Sequence, residues 1–250
     1  MRKMLLSMLL FIGLLGGCSP KNLDKNVIDK QQAAHIRLTL GMAYLEMGDL
    51  PAARTNIERA MQYAPQDYRP QLGMALYLQS AGETELAELR YQQALQLAPD
   101  NGEVLNNYGA FLCGLGQYDA AQQYFERAER VDGLAGNVAS LEQSGYCLLQ
   151  AGQIDEAQKK LSRALKQDSK KGERLLKVSE QYFQLKKRAE SLALLSVYRQ
   201  ALPASAESIW IQIQFAASDN RLDDVQRYGK QLARDFSQSK QYQLFLAHEY

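Results

Sequence analysis

The most reactive side chains in this sequence of 250 residues belong to three cysteines and two histidines. His35 and His248 lie near opposite ends of the chain, too far apart to share a metal or to act as paired acid and base. No glycine loop of the phosphate-binding kind occurs, and no serine, cysteine or carboxylate sits in a nucleophile motif. The chain therefore reads as a non-enzyme that holds no metal and no cofactor. Cys18, Cys113 and Cys147 remain, and without a CxxC spacing they do not read as a redox pair. The stretch LNNYGAFLCGLGQYDAA, residues 105–121, raises a sharper question. It reads as a helix, a turn and a second helix, yet Asn106, Asn107 and Cys113 are residues that a plain helix does not need.

The answer depends on the elements that carry them. The composition is 46% hydrophobic and 23% charged, with a formal net charge of +1. That balance is globular, and it gives no reason to expect nucleic acid as a partner. Ala, Leu, Gln, Glu, Lys and Arg dominate and β-branched runs are almost absent, which predicts an all-α fold. Small residues recur at one step. Gly41, Ala75 and Gly109 share it, as do Gly48, Gly82 and Gly116; Ala53, Ala87 and Ala121; and Ala60, Ala94 and Ala128. After a slip of two residues at Gly136-Asn137 the pattern resumes at Gly145, Gly152, Ala157 and Ala164. A period of 34 residues with these columns resembles the tetratricopeptide repeat, a pair of antiparallel helices. One pair cannot bury its apolar face alone, so pairs stack. The expected fold is a right-handed superhelical solenoid of about six repeats, at 34–67, 68–101, 102–135, 138–171, 172–205 and 206–239, closed by a C-terminal capping helix. In each repeat the first helix should line a concave face, and the glycine at its end should take a left-handed conformation.

Cys113 and Cys147 then fall near the ends of neighbouring first helices, which pack roughly 8–10 Å apart. Facing cysteines there can reach the Cα separation of about 5.5–6 Å that a disulfide requires. The bond would close a loop of about 33 residues and stabilise the fold by roughly 3–4 kcal/mol. The alternative is two buried thiols acting as small core residues.

Arg2 and Lys3 precede a short apolar run from Met4 to Leu15, then Leu15-Gly16-Gly17-Cys18. This segment is too short for a comfortable span. A small residue before a cysteine after such a run resembles the bacterial lipoprotein signal. The resemblance implies a signal peptide at 1–17, covalent lipid on Cys18, and a lipidated tether at 18–33. Twelve tether residues would reach roughly 20 Å from the bilayer. Ser19 in place of Asp implies sorting to the outer membrane by the lipoprotein machinery. The other reading is an ordinary secretory signal with an incidental cysteine.

Three segments together point to a narrower family. They are LTLGMAYLEMGDL at 38–50, NNYGAFLC at 106–113 and Gly145-Tyr146-Cys147. With the lipoprotein signal they resemble the type IV pilus biogenesis/stability lipoproteins of the PilF/PilW type. The resemblance covers nearly the whole chain and is faintest in the last two repeats. It implies a pilotin, lipid-anchored on the periplasmic face of the outer membrane; nothing in the sequence demands more than a monomer. Such a protein binds the type IV pilus secretin and promotes its multimer assembly. Another periplasmic adaptor would share the anchor and the repeats but not the NNYGAFLC run.

A partner-binding groove can be read from the concave positions of the first two repeats. Leu38, Met42, Leu45, Leu72 and Leu76 place five aliphatic residues on a face expected to be solvated, and such a strip marks an interaction site. Asn106, at the matching position in repeat three, could hold a peptide backbone through its amide or merely bridge repeats. The competing expectation is that residues 22–33 fold back over the strip. Glu83, Glu85 and Glu88, and the basic runs Lys170-Lys171 and Lys186-Lys187-Arg188, read as solvated.

Overall fold

The structure is a computed structural model that describes residues 25–131 and 133–250. The described residues form thirteen helices and no strand. They run as α1 (Lys25–Glu46), α2 (Leu50–Tyr63), α3 (Tyr68–Ser80), α4 (Thr84–Leu97), α5 (Gly102–Gly114), α6 (Tyr118–Val131), α7 (Leu134–Gln150), α8 (Ile154–Gln167), α9 (Lys171–Gln184), α10 (Arg188–Ala201), α11 (Ala206–Ser218), α12 (Leu222–Asp235) and α13 (Lys240–Leu246). The all-α expectation holds. The chain divides into two compact units at Pro65 and Gln66. The first unit is the pair α1–α2. The second holds the five pairs α3–α4 to α11–α12 and the short α13.

Local chemistry sets the helix ends. Asp49 caps α2 by accepting from the Ala52 N–H at 3.1 Å, and Asn101 caps α5 by accepting from the Val104 N–H at 3.0 Å. Between the two helices of a pair the chain reverses through a residue with positive φ. Gly48, Gly82, Gly116 and Gly152 all have φ of 76–77°, and no atom lies within 4 Å of where a Cβ would sit. Glycine is there for backbone conformation, not for room. In the last two pairs Lys186 (φ 58°) and Asn220 (φ 55°) take the same place. The hydrogen bonding is the same too: Asp49 N–H donates to the Tyr44 carbonyl, and Lys187 N–H to that of Tyr182, both at 2.9 Å.

Small residues bring the helices of a pair together. In the first unit a Cβ on Gly41 would lie 2.7 Å from Ile57 Cγ1. In the second, a Cβ on Gly109 would touch the Phe125 ring at 3.0 Å, and one on Gly145 would meet Leu161 Cγ at 2.5 Å. The facing Ala53, Ala121 and Ala157 are fully buried. In α9–α10 this contact is made by two buried serines. Ser179 Oγ donates to the Ser191 carbonyl at 2.9 Å, and Ser191 Oγ to the Ser179 carbonyl at 2.7 Å. In α11–α12 it is made by Ile213 and Val225, both buried. The core of the second unit runs on from Leu149, Leu161 and Leu175 to Leu194, Ile211 and Phe215. A further cluster holds Trp210, Ile213 and Leu232, and Phe245 of α13 packs against it.

Two boundaries differ from the sequence reading. Residues 25–33, expected in the tether, are the first turns of α1. The segment carries Lys25, Lys30, Gln31, Gln32 and Ala33, which favour helix without any apolar stripe. Being continuous with α1, it does not fold back over that helix. Gly136-Asn137, expected as an insert before a helix at 138, lies inside α7, which starts at Leu134 after an N-cap at Gly133. The extra residues are absorbed by lengthening the helix, and Asn137 Nδ2 donates to the Glu129 carbonyl at 2.9 Å.

Candidate functional site

In the first unit Leu38, Met42 and Leu45 of α1 are half-buried. Three further apolar residues of α1 are more open: Ile36 (57% exposed), Leu40 (38%) and Met47 (77%). The apolar surface of α1 is thus wider than the single stripe predicted. The signal for it was the mixture of Ile, Leu and Met on all sides of the helix. Arg37 and Asn56 tie α1 to α2 at 3.0 Å.

In the second unit the predicted groove residues separate. Leu72 is buried, at 3% exposure, and is not on a solvated face. Seven of the thirteen residues of α3 are buried, so its apolar sector is broad and Leu72 falls inside it, one turn before Ala75. Leu76 is half-buried. The five aliphatic residues read as one strip belong to two different units.

Asn106 is half-buried, and its Oδ1 is enclosed without a hydrogen-bond partner among the described residues. Asn107 closes on its own helix, donating from Nδ2 to the Glu103 carbonyl at 2.8 Å. The rest of the NNYGAFLC run packs. The Tyr108 ring lies 5.5 Å from that of Tyr91 and 4.7 Å from that of Tyr124, and Phe111 lies 4.9 Å from Tyr91. Burial pushes the Tyr91 hydroxyl well above its ordinary range, and it donates to Gln79 Oε1 at 2.7 Å. Cys113 and Cys147 are joined in a disulfide between α5 and α7, with Cα atoms 5.8 Å apart.

The position in α7 that matches Asn106 holds Glu142, which is only 2% exposed. Lys171 Nζ approaches its Oε2 at 2.9 Å and Arg174 Nε its Oε1 at 3.6 Å. The Arg174 guanidinium also lies 5.6 Å from the centre of the Tyr146 ring. Burial, and then the Glu142 carboxylate, raise the Tyr146 hydroxyl above its ordinary range, with Arg174 opposing. This carboxylate joins the fourth pair to the fifth, and Lys171 is not simply solvated. Arg188 is likewise engaged, at 2.7 Å from Asp219 and 4.9 Å from the centre of the Phe215 ring. Beside this junction a trough of about 1110 Å³ is lined by Lys170, Arg174, Lys177, Glu180, Tyr198 and Glu207, among others.

Among the described residues no group of three or more His, Cys, Asp or Glu could hold a metal, and no helix is long and apolar enough to cross a membrane. Cys18, the signal at 1–17 and residues 18–24 of the tether lie outside the described residues.

Models of the tetratricopeptide repeat match residues 38–102 and 112–172, and a second such model matches 91–123. The chain belongs to the tetratricopeptide repeat family. Over 241 residues it is 25% identical to the type IV pilus assembly protein PilF of Pseudomonas aeruginosa, covering 96% of both chains. It is 28% identical over 169 residues to an uncharacterized protein of Haemophilus influenzae, covering 68% of this chain and 93% of that one. Among solved structures, Pseudomonas aeruginosa PilF superposes with a TM-score of 0.62 at 24% identity, over 88% of this chain and 99% of that one. The structure of PilW, described as a widely conserved type IV pilus biogenesis factor, gives 0.62 and 24% over 86% and 99%. These superpositions carry the fold. The end-to-end sequence match ties this tetratricopeptide chain to the PilF/PilW type.

Proposed function

We propose that this protein acts in type IV pilus biogenesis as a pilotin, a lipid-anchored adaptor on the periplasmic face of the outer membrane. It binds secretin subunits, follows the lipoprotein sorting route and promotes assembly of the secretin multimer, without covalent chemistry. The observation that carries this reading is the match to PilF over 96% of both chains, too even to reflect shared repeats alone. The lipid attaches at Cys18. The contact with the secretin falls on α1, where Leu38, Met42 and Leu45 are half-buried and Ile36 and Leu40 exposed. Such a surface suits the apolar side of a helix or peptide.

The first experiment compares heat-stable secretin multimer in outer-membrane fractions with and without this gene. Loss of the multimer, with monomer stranded in the inner membrane, supports the reading, and unchanged multimer refutes it. Cys18→Ala then separates delivery from assembly. Leu38→Asp should abolish multimer formation while leaving helical circular dichroism intact, and normal assembly in that variant would move the contact elsewhere.

A further inference from the structure

The second helix of each pair turns its outer side to solvent, and in most pairs that side is polar. Away from the helix ends, where Tyr63, Val131 and Leu222 are also exposed, two helices depart from this. On α4, Leu86 and Leu89 are 49% and 53% exposed, one turn apart. In α6, α8 and α12 the positions matching Leu86 hold Ala120, Glu156 and Asp224, and those matching Leu89 hold Gln123, Lys159 and Arg227. On α10, Leu192 is 40% exposed, where the matching residues are Glu88, Gln122, Gln158 and Gln226. Leu192 borders a shallow dent of about 470 Å³ lined by Leu195, Ser196, Arg199 and Gln200.

Charge divides the second unit along the same line. Residues 66–135 carry ten acidic and four basic side chains, residues 136–250 thirteen acidic and seventeen basic, and no lysine occurs between Lys30 and Lys159. The ridge on α4 is flanked by Glu85 and Glu88, and the dent on α10 by Arg199. Neither Glu85 nor Arg199 enters an ion pair among the described residues, whereas Glu88 is half-buried rather than simply solvated and accepts from the Tyr108 hydroxyl at 3.3 Å.

We propose that the Leu86–Leu89 ridge of one molecule seats in the Leu192–Leu195 dent of a second copy, with Glu85 and Glu88 facing Arg199. Apolar contact supplies the attraction and the opposite charges set which surfaces meet. Ridge against ridge is disfavoured, because it would bring four carboxylates together. The two surfaces differ, so the contact is heterologous: each pairing leaves one ridge and one dent free, and chains can grow or close into a ring. The patches are small, so single contacts are weak and break in high salt. The inference does not rest on the pilus reading.

The test uses full-length purified protein. Leu89→Cys on one preparation and Leu192→Cys on another, distinguished by size tags, are mixed and oxidised with copper phenanthroline; wild type sets the background from the native cysteines. Circular dichroism confirms that each variant is folded. The expected result is a mixed dimer several-fold more abundant than either homodimer, stopping at two. A chain bearing both substitutions should give a ladder. Glu85→Lys with Glu88→Lys, or Arg199→Glu, should cut the mixed product about tenfold at low salt. The proposal is overturned if the mixed dimer is no more abundant than that from Leu89→Cys with Gln167→Cys, a surface control on α8. A dominant Leu89 or Leu192 homodimer overturns it equally.

Discussion

The third and fourth helix pairs solve a packing problem in one way, and the fifth and sixth in two others. In α5–α6 and α7–α8 a glycine lets a bulky side chain of the partner helix lie directly against the backbone: Phe125 on Gly109 and Leu161 on Gly145. A disulfide then ties the two first helices together. In α9–α10 the helices are held by reciprocal hydrogen bonds between Ser179 and Ser191, and in α11–α12 by aliphatic contact between Ile213 and Val225. One architecture thus accepts steric fit, polar exchange or plain apolar burial at a single site. The glycine columns announce the repeat without being a condition for it.

This contrast can be tested by removing each device in turn. The largest effect should come from the disulfide. Cys113→Ser with Cys147→Ser should lower the unfolding free energy by about 3–4 kcal/mol in denaturant titrations, since the bond closes a long loop. A loss far below that would mean glycine packing alone holds the third and fourth pairs. Next comes Gly145→Ala, whose new Cβ collides with Leu161 and should cost about 1–3 kcal/mol. At Gly109 the neighbour is the edge of a ring, so Gly109→Ala should cost less. Ser179→Ala should cost about 1–2 kcal/mol by removing the buried hydrogen bond that its hydroxyl donates to the Ser191 carbonyl. Ser179→Ala with Ser191→Ala should cost less than the sum of the single changes, which a double-mutant cycle would read directly. The smallest change is a gain. Lys186→Gly relieves a left-handed lysine and should stabilise by about 1 kcal/mol, whereas Gly152→Ala at the matching turn should lose about as much.

The helix pairs could be read from residues because a close approach and a left-handed turn each admit few side chains. Gly48, Gly82, Gly116 and Gly152 therefore mark their places. The same logic hid Lys186, whose backbone takes the glycine conformation without the glycine. The start of α1 was missed because its first turns carry no apolar period. The functional surface was less legible. Leu72 and Leu38 occupy equivalent positions, yet one is buried and the other half-buried, because α3 buries a wider sector than one stripe. Glu142 takes the position that matches Asn106; its partners Lys171 and Arg174 arrive from the next helix pair, and no local spacing announces them. The exposed leucines of α4 and α10 were visible letters whose meaning depends on knowing which side of a helix faces out.

The bond between Cys113 and Cys147 also has a mechanical consequence. A molecule pulled by its two ends unravels coil by coil, each releasing its contour to the applied force. Here the 33 residues between Cys113 and Cys147 are bracketed by a covalent bridge. At about 3.3–3.6 Å per residue, roughly 110–120 Å of contour stays hidden until the bridge is reduced. Under load the chain would therefore yield at its ends and keep its middle intact.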